Sequence, residues 1–339
     1  VAAVSEKELT GDPLLELPGF TIGKSGIEKV YDLALRGTAG TSQVEVNALG
    51  RVIRELEREE GDSGNTVVMT LDLELQRYAN QRLSDKESAS AVVMDIHSGE
   101  VLALSSHPTY DPNAFTNGIS HKLWNSLVNN QYAPLSNKAV NGTYAPGSTF
   151  KMCVALTGLE AGIISPNQKF FCNGHLDLGN ARFHCWKRGG HGWMNMHDSI
   201  KHSCDVYYYE ISQKIGIDRI AAMAHKLGLG EDTGIDLPNE RNGLIPTKDW
   251  KEIQLGKRWQ GGETLIASIG QGYVLATPLQ LCTMTARLAS GKAVRPHLTR
   301  DKVTPDGVTS REVEEFPELQ VNRAHLARVR DAMNGVTNE

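Results

Sequence analysis

An apolar β-hairpin restricts the fold of this chain more than any other segment. Residues 91–95 and 101–105 are nearly continuous apolar runs, and His97-Ser98-Gly99-Glu100 between them is typical of a turn. An isolated two-stranded hairpin is only marginally stable in water, so these strands require more sheet or covering helices. Because the patterns that follow are mainly helical, the sequence predicts an α+β fold.

Periodicity along the rest of the chain predicts the other elements. Before the hairpin we expect a helix over residues 26–35, a half-buried alternating strand over 42–46, a strand over 67–71 and an amphipathic helix over 73–83. After it we expect helices near residues 120–129, 148–161, 196–215, 217–227 and 275–289. The polar stretch at 84–88 marks a joint, so we predict a first domain over residues 1–88 and a second over 89–339.

Composition excludes several classes of protein. A chain of 339 residues with 40% hydrophobic residues can bury one large core or two medium ones. The net charge of -5 argues against nucleic acid as a partner. No run of apolar residues is long enough to span a membrane, and no secretory leader is present. Since the chain begins at Val1 without an initiator Met, we interpret it as part of a longer protein.

Ser148-Thr149-Phe150-Lys151 is an S-x-x-K motif at the start of a predicted helix. Pro146-Gly147 precedes it and Gly162 follows, which are typical boundaries of a helix. The spacing places the hydroxyl and the amine about one turn apart on one face, near the free N–H groups of a helix N-terminus. A desolvated lysine in such a place can accept the proton of the serine. The motif alone is weakly specific, because a surface Ser and a surface Lys also satisfy it.

A second motif, Ser203-Cys204-Asp205, has the form S-x-[N/D] and follows in the order typical of one enzyme group. S-x-x-K, S-D-N and K-T-G together are the signature of penicillin-binding proteins and class A β-lactamases. The segment from Gly142 to Lys151 resembles the active-serine segment of class B penicillin-binding proteins. Further strings similar to that family begin at Tyr110, Thr233 and Ile269, and residues 44–54 resemble the pedestal of its elongation-specific member.

The resemblance covers nearly the whole chain and implies a fold. The second domain is expected to be a penicillin-binding transpeptidase domain, with an antiparallel sheet sandwiched by helices and an all-helical subdomain. The first is expected to be a β-rich pedestal, similar to a dimerisation domain.

The resemblance also implies a mechanism for peptidoglycan D,D-transpeptidation. Ser148 would attack the penultimate D-Ala of a stem pentapeptide, Lys151 would take its proton, and D-Ala would leave protonated by way of Ser203. Asp205 would hydrogen-bond beside them, and the N–H of Ser148 would bind the oxyanion. A β-lactam would acylate Ser148 in the same way. The residues expected to bind substrate are Trp186, Gln271 and Gly272.

The partners and the location follow from the same family. The expected partners are the stem pentapeptide ending in D-Ala-D-Ala, β-lactams, a membrane glycosyltransferase and proteins of the cell-elongation complex. The expected location is the periplasm, with an inner-membrane anchor formed by an N-terminal helix absent from this chain. Catalysis would need no cofactor.

One family motif is missing after Ser203. The K-[TS]-G triplet should lie there on a strand, yet Lys24-Ser25-Gly26 is the only such triplet in the chain. It precedes Ser148 and continues into a predicted helix, so we interpret it as unrelated. We therefore expect the native protein to continue beyond Glu339 with the last strands of the sheet, the first of which would carry the triplet.

A cysteine cluster lies between the two catalytic motifs. Cys172, Cys185, His191 and Cys204 follow a C-x12-C-x5-H-x12-C pattern, and three thiolates with one imidazole form a complete ligand set for structural zinc. A Cys172–Cys185 disulfide and free thiols are the alternatives. Nearby histidines that could replace a ligand are His175, His184, His197 and His202.

Two other functions compete with transpeptidation. A serine β-lactamase or β-lactam sensor would share the motifs, but a free lactamase would lack the first domain. A non-catalytic scaffold for cell-wall assembly would account for the missing triplet. The four intact catalytic residues favour retained chemistry.

Overall fold

A computed structural model of the protein describes residues 2–17, 19–116, 118–304, 307–311 and 315–338. Its helices are α1 (Gly26–Val30), α2 (Asp32–Arg36), α3 (Leu73–Leu83), α4 (His121–Val128), α5 (Lys138–Asn141), α6 (Lys151–Glu160), α7 (Met196–Lys201), α8 (Asp205–Ile215), α9 (Ile217–Lys226), α10 (Lys248–Leu255), α11 (Gly261–Ser268), α12 (Pro278–Ser290) and α13 (Arg323–Thr337). Its strands are β1 (Ala2–Ala3), β2 (Thr21–Ile22), β3 (Thr41–Val46), β4 (Val52–Glu59), β5 (Thr66–Met69), β6 (Ala89–Met94), β7 (Val101–His107), β8 (Phe170–Cys172), β9 (His175–Leu178), β10 (Ala181–His184), β11 (Gly192–Met194), β12 (Thr299–Thr304) and β13 (Gly307–Ser310). Short 3-10 turns cover Glu6–Glu8, Pro13–Glu16, Pro112–Phe115 and Gly147–Phe150.

The predicted apolar hairpin is formed by β6 and β7, which pair antiparallel. The Asp95 carboxylate closes its turn by accepting hydrogen bonds from the backbone N–H groups of His97 and Ser98. Gly99 has a φ of 78°, and a Cβ there would lie 2.1 Å from the carbonyl oxygen of Arg295. Only glycine permits this approach. In the described part of the chain this sheet has two strands, against which α3 and α12 pack.

The first part of the chain contacts the later part at several places, among them a shared sheet, a side-chain cluster at Tyr31 and the packing of α3 on β7. β5 pairs with β12, which also pairs with β13, in a three-stranded antiparallel sheet. The Tyr31 hydroxyl donates to the Asp236 carboxylate at 3.0 Å and lies 2.8 Å from the Thr299 hydroxyl. Residues 66–83 thus pack against elements of the later chain, and the division at residue 88 stays a prediction.

The hairpin of β3 and β4 is the least buried part of the fold. The strand predicted over 42–46 is confirmed within β3, but its half-buried character is wrong, because its burial pattern shows one partly buried residue, Glu45. Every residue of β4 is exposed. The alternating pattern failed as a sign of burial because no other described element packs closely over this hairpin.

The main core surrounds α6. Phe150, Val154 and Leu156 are fully buried, and α8, α9 and α13 pack against this helix. Tyr207 and Tyr208 of α8 complete the same cluster. Burying one large apolar side chain contributes about 1.5–3 kcal/mol, so the cluster fixes the position of α6 and hence of Lys151 at its start.

The structure confirms the predicted α+β class and most of the predicted helices, but it interrupts three of them. The helix expected over residues 26–35 breaks at Tyr31 into α1 and α2, and that expected over 148–161 begins as a 3-10 turn. The helix expected over 196–215 is two helices, because Ser203 has a φ of 51° that a right-handed helix excludes. None of the described helices combines the length and the apolar character needed to cross a bilayer.

Residues 170–194 leave the helical core as two antiparallel ribbons, which periodicity did not predict. β8 pairs with β11, with Cys172 opposite Gly192, and β9 pairs with β10, with His175 opposite His184. Gly190 makes the fold of this excursion possible, since a Cβ there would lie 2.2 Å from the carbonyl oxygen of Cys172. The excursion ends at α7, next to the S-x-D turn.

Candidate active site

Ser148 lies in the 3-10 turn Gly147–Phe150, directly before α6. The N–H of Gly147 donates to the carbonyl oxygen of Gly270 at 2.9 Å. A Cβ on Gly270 would lie 2.3 Å from the carbonyl oxygen of Gly147, and Gly270 has a φ of 68°. Glycine at this position therefore allows the loop that carries Gln271 to lie against the turn that carries the serine.

Lys151 is the first residue of α6, and its side chain is only 2% exposed. Its Nζ donates to Asp205 Oδ1 at 2.6 Å, to Ser203 Oγ at 2.9 Å and to the Ser203 carbonyl oxygen at 2.9 Å. These bonds use all three donors of an ammonium group. The buried Lys151 side chain is thus held by one carboxylate, one hydroxyl and one carbonyl oxygen.

Ser203 connects Lys151 to Ser148. Its Oγ donates to Ser148 Oγ at 2.9 Å, while the same oxygen accepts from Lys151 Nζ. No direct hydrogen bond between Ser148 and Lys151 is present among the described contacts. The left-handed backbone conformation of Ser203 ends the helical path between α7 and α8. This conformation allows both the hydroxyl and the carbonyl oxygen of Ser203 to contact Lys151. Direct proton transfer from Ser148 to Lys151 stays a prediction, and the geometry offers a path through Ser203.

Asp205 joins Lys151 to the excursion of residues 170–194. Its Oδ2 accepts a hydrogen bond from the backbone N–H of Trp186 at 2.9 Å, while Oδ1 contacts Lys151. The indole N–H of Trp186 donates to the Ser203 carbonyl oxygen at 3.0 Å. Trp186 is 64% exposed, so its ring lies over the S-x-D turn and faces solvent.

A cavity of about 540 Å³ opens over these groups. It contains Ser148, Ser203, Asp205 and two of the predicted substrate-binding residues, Trp186 and Gln271; the third, Gly272, is not among its lining residues. Four other residues line the cavity for which no substrate role was predicted: His184, Cys185, Tyr209 and Ile269.

One of these four could have been found from spacing alone. Tyr209 follows Asp205 by four residues on α8, a spacing that places both on one helix face. Its hydroxyl donates to the carbonyl oxygen of His184, and burial raises the pKa of Tyr209 above its usual range. By contrast, Ser25 and Gly26 of the early triplet line a different cleft, away from this cavity.

The cysteine cluster lies directly behind the S-x-D turn. The ligand atoms of Cys172, Cys185, His191 and Cys204 all lie within 4.8 Å of one another. His191 Nδ1 is 3.6 Å from the Sγ atoms of both Cys172 and Cys185. Each of the five cysteines is a free thiol, so the structure contains no Cys172–Cys185 disulfide.

The chemistry of this cluster fits a zinc ion. Tetrahedral zinc with bonds of about 2.3 Å to sulfur separates its ligand atoms by roughly 3.8 Å, close to the observed spacing. All three cysteines are nearly inaccessible to solvent, and the hydrogen bond between Cys185 and Cys204 lowers the pKa of Cys185 while it raises the pKa of Cys204. His191 Nε2 is buried without a partner among the described residues. The nearby histidines named above are not in the four-residue group.

The fold and this arrangement define a penicillin-binding protein, and comparisons with known families agree. Residues 89–339 match the family described as the penicillin-binding protein transpeptidase domain, and residues 1–69 match the penicillin-binding protein dimerisation domain. The chain therefore belongs to the penicillin-binding protein transpeptidase family. The predicted family and its fold are confirmed.

Relatives within the family make the resemblance more specific. Peptidoglycan D,D-transpeptidase MrdA of Escherichia coli (strain K12) is 40% identical over 322 residues, which are 94% of this chain and 51% of that protein. MrdA of Acinetobacter baumannii is 41% identical over 304 residues, covering 88% of this chain and 45% of that protein. The chain thus spans about half the length of these curated relatives.

Solved structures show the same likeness in three dimensions. A complex between penicillin-binding protein 2 and MreC from Helicobacter pylori superposes with a TM-score of 0.90 at 34% identity, over 100% of this chain and 62% of that one. Pseudomonas aeruginosa penicillin-binding protein 2 in complex with WCK 5153 gives a TM-score of 0.82 at 36% identity, over 95% of this chain and 69% of that one.

Proposed function

We propose that the chain carries the active site of a peptidoglycan D,D-transpeptidase, which cross-links stem peptides during cell elongation and is acylated by β-lactams. The observation that carries this proposal is the continuous hydrogen-bonded path from Ser148 through Ser203 to Lys151, with Asp205 opposite the lysine. The names of the relatives support the reaction. The donor substrate is a stem pentapeptide ending in D-Ala-D-Ala.

Acylation begins when Ser148 Oγ attacks the carbonyl carbon of the penultimate D-Ala. The proton of Ser148 passes to Ser203 Oγ, and the proton of Ser203 passes to Lys151 Nζ, which holds a free electron pair in the reactive state. The C–N bond to the terminal D-Ala then breaks, and Lys151 returns a proton to the leaving amine through Ser203. The products are an ester on Ser148 and free D-Ala.

The second half-reaction uses the same groups in reverse. The amine of a neighbouring stem peptide attacks the ester and loses its proton through Ser203 to Lys151, and the proton then returns to Ser148 Oγ as the ester bond breaks. Asp205, 2.6 Å from Nζ, stabilises the ammonium that forms in each half-reaction. The N–H of Ser148, in the turn before α6, stabilises the oxyanion.

A donor assay with a synthetic pentapeptide and an acceptor amine tests the reaction. We expect D-Ala release and formation of the cross-linked amide, both lost in Ser148→Ala. Ser126→Ala is the matched control, since Ser126 is an exposed serine on α4. Equal D-Ala release by the wild type and Ser148→Ala would refute the proposal.

The two rival functions predict different outcomes. A non-catalytic scaffold gives no role to the contacts among Ser148, Lys151, Ser203 and Asp205. A β-lactamase would hydrolyse its acyl-enzyme within seconds, whereas a transpeptidase retains the penicilloyl ester. The lifetime of the penicilloyl adduct on Ser148 therefore distinguishes a β-lactamase from a transpeptidase.

We also propose that Cys172, Cys185, His191 and Cys204 hold a structural zinc ion. Zinc would tie the excursion of residues 170–194 to the N-terminus of α8, where Cys204 lies between Ser203 and Asp205. With these four protein ligands no position would be left for water, so the ion would have a structural role and no hydrolytic one. Its effect on acylation comes from holding the S-x-D turn in place.

The partners and the location complete the proposal. One similar solved structure is a complex of penicillin-binding protein 2 with MreC, and another, with a TM-score of 0.85 at 30% identity, is a peptidoglycan synthase complex. We propose that this protein likewise works with a membrane glycosyltransferase and elongation proteins at the periplasmic face of the inner membrane.

The exposed hairpin of β3 and β4 is the candidate contact, and its apolar exposed residues are Val44, Val46, Leu49, Val52, Ile53 and Leu56. Replacing Val52 with Glu should weaken co-purification of such a complex without changing acylation, and unchanged co-purification would exclude this contact.

A further inference from the structure

A second cleft, of about 380 Å³, shares no lining residue with the active-site cavity. It lies between α3, β7, residues 109–112, residues 134–141 and the loop at 237–239. We call it the amide cleft, because it is lined by Asn80, Asn137, Asn141 and Asn239. None of the described residues that line it is charged.

Three of these asparagines present a free hydrogen-bond donor. Asn80 Oδ1 accepts from Ser105 Oγ, Asn137 Oδ1 accepts from the N–H of Ala139, and Asn141 Oδ1 accepts from Ser136 Oγ. Each acceptor atom is thus occupied within the fold, while each side-chain NH₂ has no partner among the described residues. An asparagine amide offers two donors, so the cleft is rich in donors that a ligand can satisfy.

The lining of the amide cleft itself disfavours an ionic ligand. Lys138 lies between two of the asparagines, but its Nζ donates to the carbonyl oxygen of Ala133 and is not part of the lining. Without a cation the cleft would not repay the desolvation of a carboxylate or a phosphate. An uncharged ligand rich in hydrogen-bond acceptors fits the site.

An aromatic ring adds an apolar surface to the cleft. Tyr110 lines it, and its ring packs edge-on against Phe115 with centroids 5.4 Å apart, so its position is fixed. Pro112, Pro134 and Leu237 supply further apolar surface. A rigid apolar wall combined with a few placed donors is the usual composition of a ligand site.

The cleft also continues beyond one small ligand. A neighbouring cavity of about 470 Å³ shares Ser136, Asn141 and Asn239 with it and adds the charged side chains of Glu240 and Arg241. The two cavities therefore adjoin, and an extended ligand in the amide cleft would reach the end that carries Glu240 and Arg241. A linear oligomer fits this shape better than a single compact metabolite.

We infer that the amide cleft binds the N-acetylated sugars of a glycan strand. The acetamido carbonyl and ring oxygens of such sugars accept from the asparagine amides, and the apolar face of a sugar ring packs on Tyr110. The identity of the strand rests on the proposed function, since the stem peptides that Ser148 would cross-link are attached to glycan.

Titration with tetra-N-acetylchitotetraose, followed by NMR or calorimetry, tests the inference. We expect saturable binding, and no binding of cellotetraose, which has the same length and linkage but lacks the acetamido groups. Asn141→Asp keeps the acceptor for Ser136 and replaces the NH₂ donor with oxygen, so it should weaken binding about tenfold. Asn80→Asp should act in the same way. Asn334→Asp, an exposed change on α13, is the control and should bind as the wild type does.

Three results would overturn the inference: no saturable binding of the acetylated sugar, equal binding of cellotetraose, or unchanged binding by both cleft variants. Acylation by fluorescent penicillin is measured on the same samples and should stay unchanged in every variant. Sugar binding without acylation would refute the proposed function alone. Acylation without sugar binding would refute the amide cleft alone.

Discussion

Lys151 and Asp205 form an ion pair with Nζ and Oδ1 2.6 Å apart, in which the side chains are only 2% and 11% exposed. Neither side chain has another ion-pair partner among the described residues. Removing one member of such a pair leaves an uncompensated buried charge, which is costly. The pair therefore links the stability of the fold to the chemistry of the site.

Asp205→Ala should lower both stability and acylation. The free energy of unfolding should fall by about 3–5 kcal/mol, because Lys151 stays buried without its counter-ion. Asp205→Asn should lose less, since the amide oxygen still accepts one of the two hydrogen bonds. Denaturant unfolding and penicillin-acylation rates measure both effects. Equal stability of Asp205→Ala and the wild type would contradict the ion pair.

Lys151→Arg should abolish acylation while the protein still folds. A guanidinium stays protonated and cannot accept the proton of the serine. Lys248→Arg is the control, because Lys248 forms an exposed ion pair with Asp218. Titration with fluorescent penicillin is the measurement. Acylation of the Lys151 variant at the wild-type rate would show that Lys151 is not the base.

Ser203→Gly removes the hydroxyl that lies on the proposed proton path while it keeps the backbone conformation of this position. Glycine accepts the positive φ of this position, which offsets part of the cost of losing the hydrogen bond from Lys151, so stability should fall by no more than about 1–3 kcal/mol. Loss of the hydroxyl should slow acylation by about 100-fold or more. Thermal unfolding and acylation kinetics test the two effects together. A variant that acylates normally would favour direct transfer from Ser148 to Lys151.

The sequence predicted those parts of the site that depend on local spacing. Ser148 and Lys151 were recognisable because a spacing of three residues brings two side chains to one face of a turn. The amphipathic helix α3 was predicted with its observed ends, since Asp72 caps it and Leu83 ends its periodic pattern. Local sequence determines such features.

Other features depend on tertiary contacts that periodicity does not reveal. Nothing near Ser203 in the sequence shows the positive φ that divides α7 from α8, and this geometry lets Ser203 contact both Ser148 and Lys151. The ribbons of residues 170–194 were missed because their strands are only three or four residues long. The exposure of β3 was mispredicted because an alternating apolar pattern buries a strand face only where another element packs on that face.

Zinc content decides the role of the cysteine cluster. Protein purified without added metal should contain about one equivalent of zinc, and Cys172→Ser should lose it. Chelation should lower the melting temperature and slow acylation together. Cys282→Ser is the control, because Cys282 lies outside the cluster. Almost no zinc, with two thiols missing from a denatured thiol count, would show a disulfide instead.

Mass spectrometry of the benzylpenicillin adduct tests the central claim most directly. The protein, in the form in which cells express it, is incubated with benzylpenicillin, digested with trypsin and searched for the added mass. The hydrogen-bonded path from Ser148 to Lys151 predicts one adduct, on Ser148, absent from Ser148→Ala and Lys151→Arg. An adduct on Ser203 or on any other residue would contradict the account.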